Sequence, residues 1–185
     1  MKEIEVKAYL RDKIKVLTKI ESLGYVFSEP VKQIDTVYAR TVGSVEEYLK
    51  NDHFVRIREK SDGEYIFTVK VPKVIKENLV KREYETKINN IVELEQSLFV
   101  MGYKIANKVV KIRRTAKRED FEICMDSVED LGDFIEIEKM FSDEKIDGDA
   151  VLKELQNFLV SFGIDLSDEV KKGYDILMLE KIYNK

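Results

Sequence analysis

The chain has 185 residues, of which 44% are apolar and 37% charged, and this composition predicts a single globular domain over residues 1–185 with its own hydrophobic core. Its net charge of −4 gives no reason to expect a nucleic-acid partner, and no apolar run approaches the ~18 residues that a membrane-spanning helix needs. The single cysteine, Cys124, excludes an intramolecular disulfide, and together with a charged start unlike a signal peptide it predicts a cytoplasmic protein with no membrane partner.

The periodicity of the first half predicts a strand, a helix and three more strands. Apolar residues recur every three positions from Ile14 to Leu23, and Gly24 ends this helix. The segment 61–64 predicts a hairpin turn, with Gly63 at the position that needs a positive φ. The predicted strands span residues 2–10, 33–40, 53–60 and 65–71, and the helix spans residues 13–23.

The second half predicts the same layout, followed by more helix. A strand, a helix that ends before Gly102 and three strands come first, and a helix with an apolar stripe and a helical tail follow. The strands are predicted over 79–87, 107–117, 121–128 and 133–140, and the helices over 92–101, 149–162 and 167–183.

Three coincidences of spacing relate the two halves. The pattern of Glu3, Glu5 and Lys7 recurs 80 residues later at 83–87, the pairs Gly24-Tyr25 and Gly102-Tyr103 are 78 residues apart, and segment 54–60 lies 80 residues before segment 134–139. Short amphipathic modules can resemble one another by chance. Three separate coincidences nonetheless favour a pseudo-twofold arrangement of two β-α-β-β halves.

Several predicted strands have one apolar and one charged face, because side chains alternate between faces with a period of two. The helices must cover the apolar faces, so the simplest packing puts helices outside and charged faces inside. Eight antiparallel strands can close in this way with room for a small ligand. We therefore predict an α+β fold, a closed eight-stranded antiparallel β-barrel or tunnel with a charged interior. The alternative is that the charged faces are solvated outer faces.

The charges that this interior would collect suit a polyphosphate and a divalent cation. Arginine and lysine bind phosphate oxygens directly, while carboxylates bind the cations that bridge phosphates. Because no supporting histidine or second thiol accompanies the carboxylates, Mg²⁺ or Mn²⁺ fits better than zinc. The acidic set is Glu3, Glu5, Glu83, Glu85, Glu136 and Glu138, and the basic set is Lys7, Arg56, Arg58, Lys70, Lys111 and Arg113.

These motifs resemble the CYTH superfamily, which groups class IV adenylate cyclases with thiamine triphosphatases and other triphosphate tunnel enzymes. The start, residues 3–7, is similar to the family's ExExK signature, and segment 126–138 is similar to its most specific element, with an Asp, a Leu-Gly, an aromatic residue and a Glu-x-Glu. Residues 33–38 resemble the Q-x-D-x-Y/F element of the cyclase-type branch. Further matching motifs follow in the family's order at 54–58, 65–70, 82–85 and 110–114, so the resemblance covers nearly the whole chain.

The resemblance also implies roles for individual residues. Glu3, Glu5, Glu136 and Glu138 would bind metal, and Asp126 lies where the family has an acidic residue near that metal. Lys7, Arg56, Arg58, Lys70, Lys111 and Arg113 would bind the phosphates of the substrate, with Glu83 and Glu85 as supporting acids. The residues implied to be catalytic are Glu3, Glu5, Lys7, Glu136 and Glu138.

The implied activity divides into three hypotheses. The leading one is a class IV adenylate cyclase-like enzyme that converts ATP to cyclic AMP and pyrophosphate with a divalent metal. The second is a triphosphatase that hydrolyses inorganic tripolyphosphate or thiamine triphosphate, and the third is a polyphosphate- or nucleotide-binding protein without turnover. In each case the partner is a small triphosphate, and the sequence leaves a homodimer open.

Two other residues invite a functional interpretation. His53, the only histidine, is predicted to be an ordinary residue at the start of a strand, because the sequence offers it no catalytic partner. Cys124 is predicted to be a small core or wall residue, since no second thiol supports redox chemistry.

Overall fold

The computed structural model describes residues 2–75, 78–118, 120–141 and 147–183, except for the side chains of residues 2, 3 and 72–82. These residues form eight β-strands, five α-helices and one short 3-10 helix. The strands are β1 (Lys2–Tyr9), β2 (Val31–Ala39), β3 (Phe54–Lys60), β4 (Tyr65–Ile75), β5 (Asn78–Lys87), β6 (Lys104–Arg118), β7 (Phe121–Val128) and β8 (Gly132–Phe141). The helices are α1 (Lys13–Ser22), α2 (Val45–Leu49), α3 (Ile91–Val100), α4 (Gly148–Ser161) and α5 (Tyr174–Tyr183), and the 3-10 helix is Leu166–Asp168.

The strands form one antiparallel sheet in the order β1-β8-β7-β6-β2-β3-β4-β5. This confirms the predicted α+β class and the eight antiparallel strands. Within the described part of the chain, β1 and β5 are the two ends of this order, and no pairing joins them. The predicted closure into a complete barrel is therefore not shown by the strand pairing.

The strand order has the predicted twofold symmetry. Apart from the short helix α2, each half of the chain has a strand, a helix and three strands, as the individual predicted elements do, and so one strand more than the β-α-β-β summary; β1 to β4 correspond to β5 to β8. If β1 to β4 are exchanged with β5 to β8, the strand order of the sheet is the same when it is read from the opposite end. One of the three coincidences was misleading, because segment 54–60 lies in β3 and segment 134–139 lies in β8, and these strands are not counterparts.

The chain divides into two compact units, which we describe separately. Unit 1 comprises residues 1–30 and 112–171, and unit 2 comprises residues 31–111 and 172–185. Strand β6 contributes its first part to unit 2 and its last part to unit 1. The single domain over residues 1–185 stays a prediction.

The core of unit 1 lies on the apolar face of β1 and β8. Val6 and Ala8 of β1 and Ile135 and Ile137 of β8 are almost completely buried. Helices α1 and α4 cover them with further side chains of the same cluster, which include Val16, Ile20, Leu155, Leu159 and Phe162. This confirms the predicted packing of helices against the apolar strand faces.

Unit 2 has two apolar clusters on opposite faces of its strands. In the first, Val55 and Ile57 of β3 pack with Leu98 of α3, as predicted. In the second, Val37 of β2 and Phe54 of β3 pack with side chains of α2 and α5. Since Val37 is the register partner of Arg56 and Phe54 precedes Arg56 by two residues, α2 and α5 pack against the charged face of this part of the sheet.

The predicted helix boundaries follow from local capping. Asp12, Asn90 and Asp147 accept backbone N–H groups at the starts of α1, α3 and α4, which satisfies donors that a helix leaves free. Gly24 and Gly102 have positive φ just after α1 and α3, as expected of residues that end helices. The sequence did not reveal α2, which begins after the cap Ser44.

Among the described residues, no helix combines the length and the apolar character that crossing a membrane requires.

Candidate functional site

The charged face of unit 1 is built from β1, β7 and β8. In the antiparallel register of β1 and β8, Lys7 lies opposite Glu136, and Glu5 lies opposite Glu138. Val6 and Ile137, which separate the two charged residues of each strand, point into the apolar core, so the alternation of the strand places the four charged side chains on one face. The structure therefore brings together four of the predicted site residues, from strands that lie far apart in the sequence.

Arg113 of β6 connects the carboxylates of this face. Its Nε donates to Asp126 Oδ1 at 2.7 Å, and its guanidinium also donates to Asp126 Oδ2 at 2.5 Å and to Glu136. Lys7 Nζ lies 3.0 Å from the other oxygen of Glu136. Arginine binds a carboxylate in this two-pronged way because its planar fork matches the two oxygens.

These pairs lie in the interior of the unit. Lys7, Asp126 and Glu136 are at most 5% exposed. Burial acts to lower the pKa of Arg113, but Glu136 and Asp126 outweigh it and raise that pKa well above the ordinary value. The guanidinium thus stays charged, as buried ion pairs with well-satisfied hydrogen bonds do.

The unit 1 cluster carries more acid than base. Four carboxylates, of Glu5, Asp126, Glu136 and Glu138, face the two cations Lys7 and Arg113. This leaves two formal negative charges among these six side chains. A divalent cation would neutralise them.

Three of the carboxylates are close enough to share a metal ion. Oxygens of Glu5, Glu136 and Glu138 all lie within 4.8 Å of one another. An all-oxygen set of this kind fits Mg²⁺ or Mn²⁺, so these residues fit the predicted metal. Glu3 belongs to β1, but its side chain lies outside the described residues, and its role stays a prediction.

Asp126 differs from Glu5, Glu136 and Glu138 in its distance from the other carboxylates. Both of its oxygens accept hydrogen bonds from Arg113, and it is not part of the group of three carboxylates. The structure therefore places Asp126 where it orients a cation, and its predicted contact with metal stays untested.

Cys124 lies on this same charged face, because it is the register partner of Glu136. Its Sγ, together with oxygens of Glu122 and Glu138, forms a second group of atoms within 4.8 Å. Burial raises the pKa of the thiol far above its ordinary value. Cys124 is completely buried, so the prediction of a small core or wall residue describes it well.

The charged face of unit 2 is organised around Asp35. Asp35 of β2 lies opposite Arg58 of β3, and Arg58 donates to its two oxygens at 2.6 and 2.7 Å. Burial acts to raise the pKa of Asp35, but Arg58, Arg56 and Lys111 outweigh it and hold that pKa well below the ordinary value. The carboxylate is therefore ionised, although it is only 5% exposed.

The other predicted cations of unit 2 also contact acids. Arg56 donates to Glu85 at 3.0 Å and to Thr68 at 3.0 Å. Lys70 donates to Glu83 at 2.5 Å. The structure thus gives Glu83 and Glu85, predicted as supporting acids, a specific place as partners of the predicted phosphate-binding cations.

Lys111 is the most deeply buried of the predicted phosphate-binding cations. It is 3% exposed, and its Nζ lies 5.0 Å from the centre of the Tyr174 ring, a distance typical of a cation–π contact. Tyr174 is the first residue of α5. Helix α5 therefore takes part in the environment of the charged face.

Sequence reasoning missed three residues of this face: Asp35, Thr68 and Tyr174. For Asp35 a signal was present, because it lies in segment 33–38, which resembles the Q-x-D-x-Y/F element, although we assigned it no role in the site. Thr68 is fully buried between Arg56 and Glu85, and its type gives no such signal. Tyr174 lies in a tail whose packing the sequence does not define.

His53 lies away from the charged faces. Its Nδ1 is 2.6 Å from Asp52, and its Nε2 contacts the Tyr103 hydroxyl. Tyr103 belongs to the apolar cluster under α3. His53 thus has polar partners that the sequence did not reveal, but none of the predicted site residues is among them.

Residues 1–174 match the family model of the CYTH domain, and the chain belongs to this family. A protein from Methanocaldococcus jannaschii that is described as a putative adenylate cyclase is 33% identical over 174 residues, which cover 94% of this chain and 97% of that protein. This confirms the resemblance that the motifs of the sequence indicated.

Solved structures agree with this assignment. The PH1819 protein from Pyrococcus horikoshii OT3 has a TM-score of 0.82 and 27% identity, and the match covers 97% of this chain and 99% of that chain. A Hippeastrum protein, described as a putative adenylyl cyclase with a dominant triphosphatase activity, has a TM-score of 0.61 and 15% identity, over 99% of this chain and 96% of that chain. At 15% identity this second likeness concerns the fold alone.

Proposed function

We propose that this protein is a divalent-metal-dependent enzyme that cyclises ATP to cyclic AMP and pyrophosphate. One observation carries the proposal: the clustered carboxylates of Glu5, Glu136 and Glu138, next to the cations Lys7 and Arg113, in a member of the CYTH family. The relative from Methanocaldococcus jannaschii, described as a putative adenylate cyclase, supports cyclisation as the reaction.

The residues of the chain would contribute binding and charge neutralisation. Glu5, Glu136 and Glu138 hold Mg²⁺ or Mn²⁺, with Glu3 as a further candidate, and Lys7 and Arg113 bind phosphate oxygens beside them. The metal, when bound, supplies positive charge that favours attack on phosphorus. Arg56, Arg58, Lys70 and Lys111 also bind phosphate, and such positioned cations stabilise the charge of phosphoryl transfer.

In this reaction the ribose 3′-hydroxyl attacks the α-phosphorus. A new P–O bond forms there, the bond from the α-phosphorus to the bridging oxygen breaks, the hydroxyl loses its proton, and pyrophosphate leaves. Correct alignment of the hydroxyl is the main requirement, since holding two groups in position can remove a large part of the barrier.

Hydrolysis is the second candidate function. The same charges can hold a triphosphate while water attacks the terminal phosphorus, and the Hippeastrum protein is described by a dominant triphosphatase activity. In this case the substrate is inorganic tripolyphosphate or thiamine triphosphate. The two reactions differ in the attacking group and not in the charges that bind the phosphates.

Product analysis distinguishes these reactions. The protein is incubated separately with ATP, tripolyphosphate and thiamine triphosphate, each with Mg²⁺ or Mn²⁺ and each with EDTA, and the products are separated by chromatography. Cyclic AMP with pyrophosphate supports the cyclase, and orthophosphate supports the triphosphatase. If no substrate gives a metal-dependent product, the enzyme proposal is wrong and a binding protein remains.

A matched pair of variants controls for contaminating activity. Glu138→Gln removes one carboxylate of the proposed metal site, whereas Glu129→Gln changes an exposed carboxylate of the same unit. Metal-dependent product formation should fall at least about 100-fold in the first variant, because the two remaining carboxylates cannot replace the lost charge. It should remain unchanged in the second variant. Equal activity of the two variants would contradict the metal assignment.

The phosphate-binding role of Arg56 leads to a separate prediction. Arg56→Ala should weaken triphosphate binding about 10- to 100-fold, the range expected from losing hydrogen bonds to a charged group. Lys108→Ala, which removes an exposed cation of β6 in the same unit, should have little effect. Isothermal titration with ATP measures both affinities, and equal losses in the two variants would indicate that only the overall charge matters.

A further inference from the structure

Unit 2 contains a buried hydrogen-bond acceptor that has no partner. The Oε1 atom of Gln33 is completely buried, and no described residue donates a hydrogen bond to it. Gln33 itself is 6% exposed. Buried polar atoms are nearly always paired, and one left unpaired costs free energy, so such an atom calls for an explanation.

Gln33 lies on the charged face, next to the cations. It is two residues before Asp35 on β2, so both side chains point to the same side of the sheet. Across the ladder it faces Lys60 on β3, as Asp35 faces Arg58. The unpaired acceptor is therefore located on the surface to which we assign the binding of phosphate.

The donors nearest to Gln33 along β3 are engaged elsewhere. Lys60 Nζ donates to Glu64 at 2.5 Å, and the fork of Arg58 is directed at both oxygens of Asp35. A phosphate group cannot satisfy Gln33 either, because the oxygens of a metal-bound polyphosphate are acceptors. The missing partner is a group that donates a hydrogen bond.

We infer that Gln33 recognises the nucleoside part of the substrate by accepting a hydrogen bond from one of its hydroxyl or amino groups. This inference rests on the proposed function, in which a nucleoside triphosphate binds this face through its phosphates. Inorganic tripolyphosphate offers no such donor when its oxygens carry metal. Gln33 would thus be a specificity-determining residue that favours a nucleotide over an inorganic polyphosphate, since a site built to hydrogen-bond a substrate group discriminates against analogues that lack it.

Binding of two inert analogues to Gln33→Met tests the inference. The analogues are ATP and tripolyphosphate with both bridging oxygens replaced by methylene groups, so neither is cleaved when Mg²⁺ is present. Methionine has nearly the shape of glutamine without its amide. The variant should bind the ATP analogue about 3- to 10-fold more weakly, as expected for one lost hydrogen bond, and bind the tripolyphosphate analogue as the wild type does.

Thermal unfolding without ligand provides a second readout. If the acceptor exists for a ligand, replacing it by an apolar group of the same shape should leave the melting temperature unchanged or raise it. A lower melting temperature would indicate that Gln33 serves the fold, and would overturn the inference. Gln96→Met, at an exposed position of α3, is the control for the substitution itself.

The outcomes also separate this inference from the proposed function. If the wild type binds neither analogue, the proposed function fails. If it binds both, and Gln33→Met changes both affinities equally or neither, only the inference about Gln33 fails. A selective loss for the ATP analogue supports both.

Discussion

Asp35 and Arg58 show what a charged strand face requires at the level of single residues. Asp35 is buried, and it remains ionised because Arg58 donates to both of its oxygens. Removing one partner of such a pair leaves the other charge buried without compensation, which costs far more than the pair contributes. The pair therefore stabilises unit 2 only as long as both members are present.

The first prediction concerns this pair. Asp35→Asn should lower the free energy of unfolding at neutral pH by about 3 kcal/mol, because it removes the negative charge of the carboxylate that accepts two hydrogen bonds from Arg58. Glu59→Gln, at an exposed position beside Arg58, should change it by less than about 0.5 kcal/mol. Urea unfolding at pH 7 measures both values, and equal stabilities of the two variants would contradict the assigned role.

The same pair predicts a pH dependence with a definite sign. Arg58 holds the pKa of Asp35 in the folded protein below its ordinary value, so the stabilisation is complete above the unfolded pKa of about 4 and is lost as the pH falls toward the folded pKa. The difference in unfolding free energy between wild type and Asp35→Asn should therefore shrink below about pH 4. A difference that stays constant down to pH 3 would show that the carboxylate charge is not its cause.

The alternation of charges could predict which residues share a face, but not which residues pair. Glu5 and Lys7 were predicted correctly as one face of β1, because a period of two follows from strand geometry alone. That Lys7 contacts Glu136 depends on the register between β1 and β8, which are far apart in the sequence. Register of this kind is decided by the packing of the whole apolar face, so no local sequence pattern predicts it.

At the level of elements, α5 differs from the other long helices. Helices α1, α3 and α4 cover apolar strand faces, whereas α5 packs with α2 over the end of the charged face of unit 2. Two polar contacts fix its start, since Asn107 donates to the Asp175 carbonyl at 2.8 Å and Tyr48 donates to the Asp175 carboxylate. The sequence predicted a helical tail, but its apolar residues alone could not indicate which face of the sheet they cover.

The packing of α5 leads to a prediction at this scale. Leu179→Ala should lower the free energy of unfolding by about 2–5 kcal/mol, because Leu179 is 1% exposed and its removal leaves a cavity. Ile182→Ala changes an aliphatic residue of the same helix that is 48% exposed, and should cost less than about 0.5 kcal/mol. Chemical denaturation compares the two, and a small effect at Leu179 would mean that α5 is not firmly packed.

At the level of the molecule, the excess of carboxylates in unit 1 links stability to metal. A ligand that binds only the folded state stabilises it by about 2.7 kcal/mol at a hundred times its Kd. For a chain of this size that corresponds to a rise in Tm of roughly 5–10 °C. Saturating Mg²⁺ or Mn²⁺ should produce such a rise in differential scanning calorimetry, and EDTA should reverse it.

Two variants make this measurement specific. Glu138→Gln should lose most of the metal-dependent rise in Tm, while Glu129→Gln should keep it, since only Glu138 belongs to the group of three carboxylates. A rise of equal size in both variants would locate the metal elsewhere on the chain.

The facing of Glu5 and Glu138 across β1 and β8 has a consequence for how this protein can be altered. Like charges directly opposite each other weaken a strand pair, so a neutral residue at either position should tighten the sheet. A library sorted for heat resistance in the absence of divalent metal would then enrich such substitutions and yield robust proteins without the ability to bind a cation here. Under that condition, selection for thermal resistance and selection for turnover would drive these two positions in opposite directions.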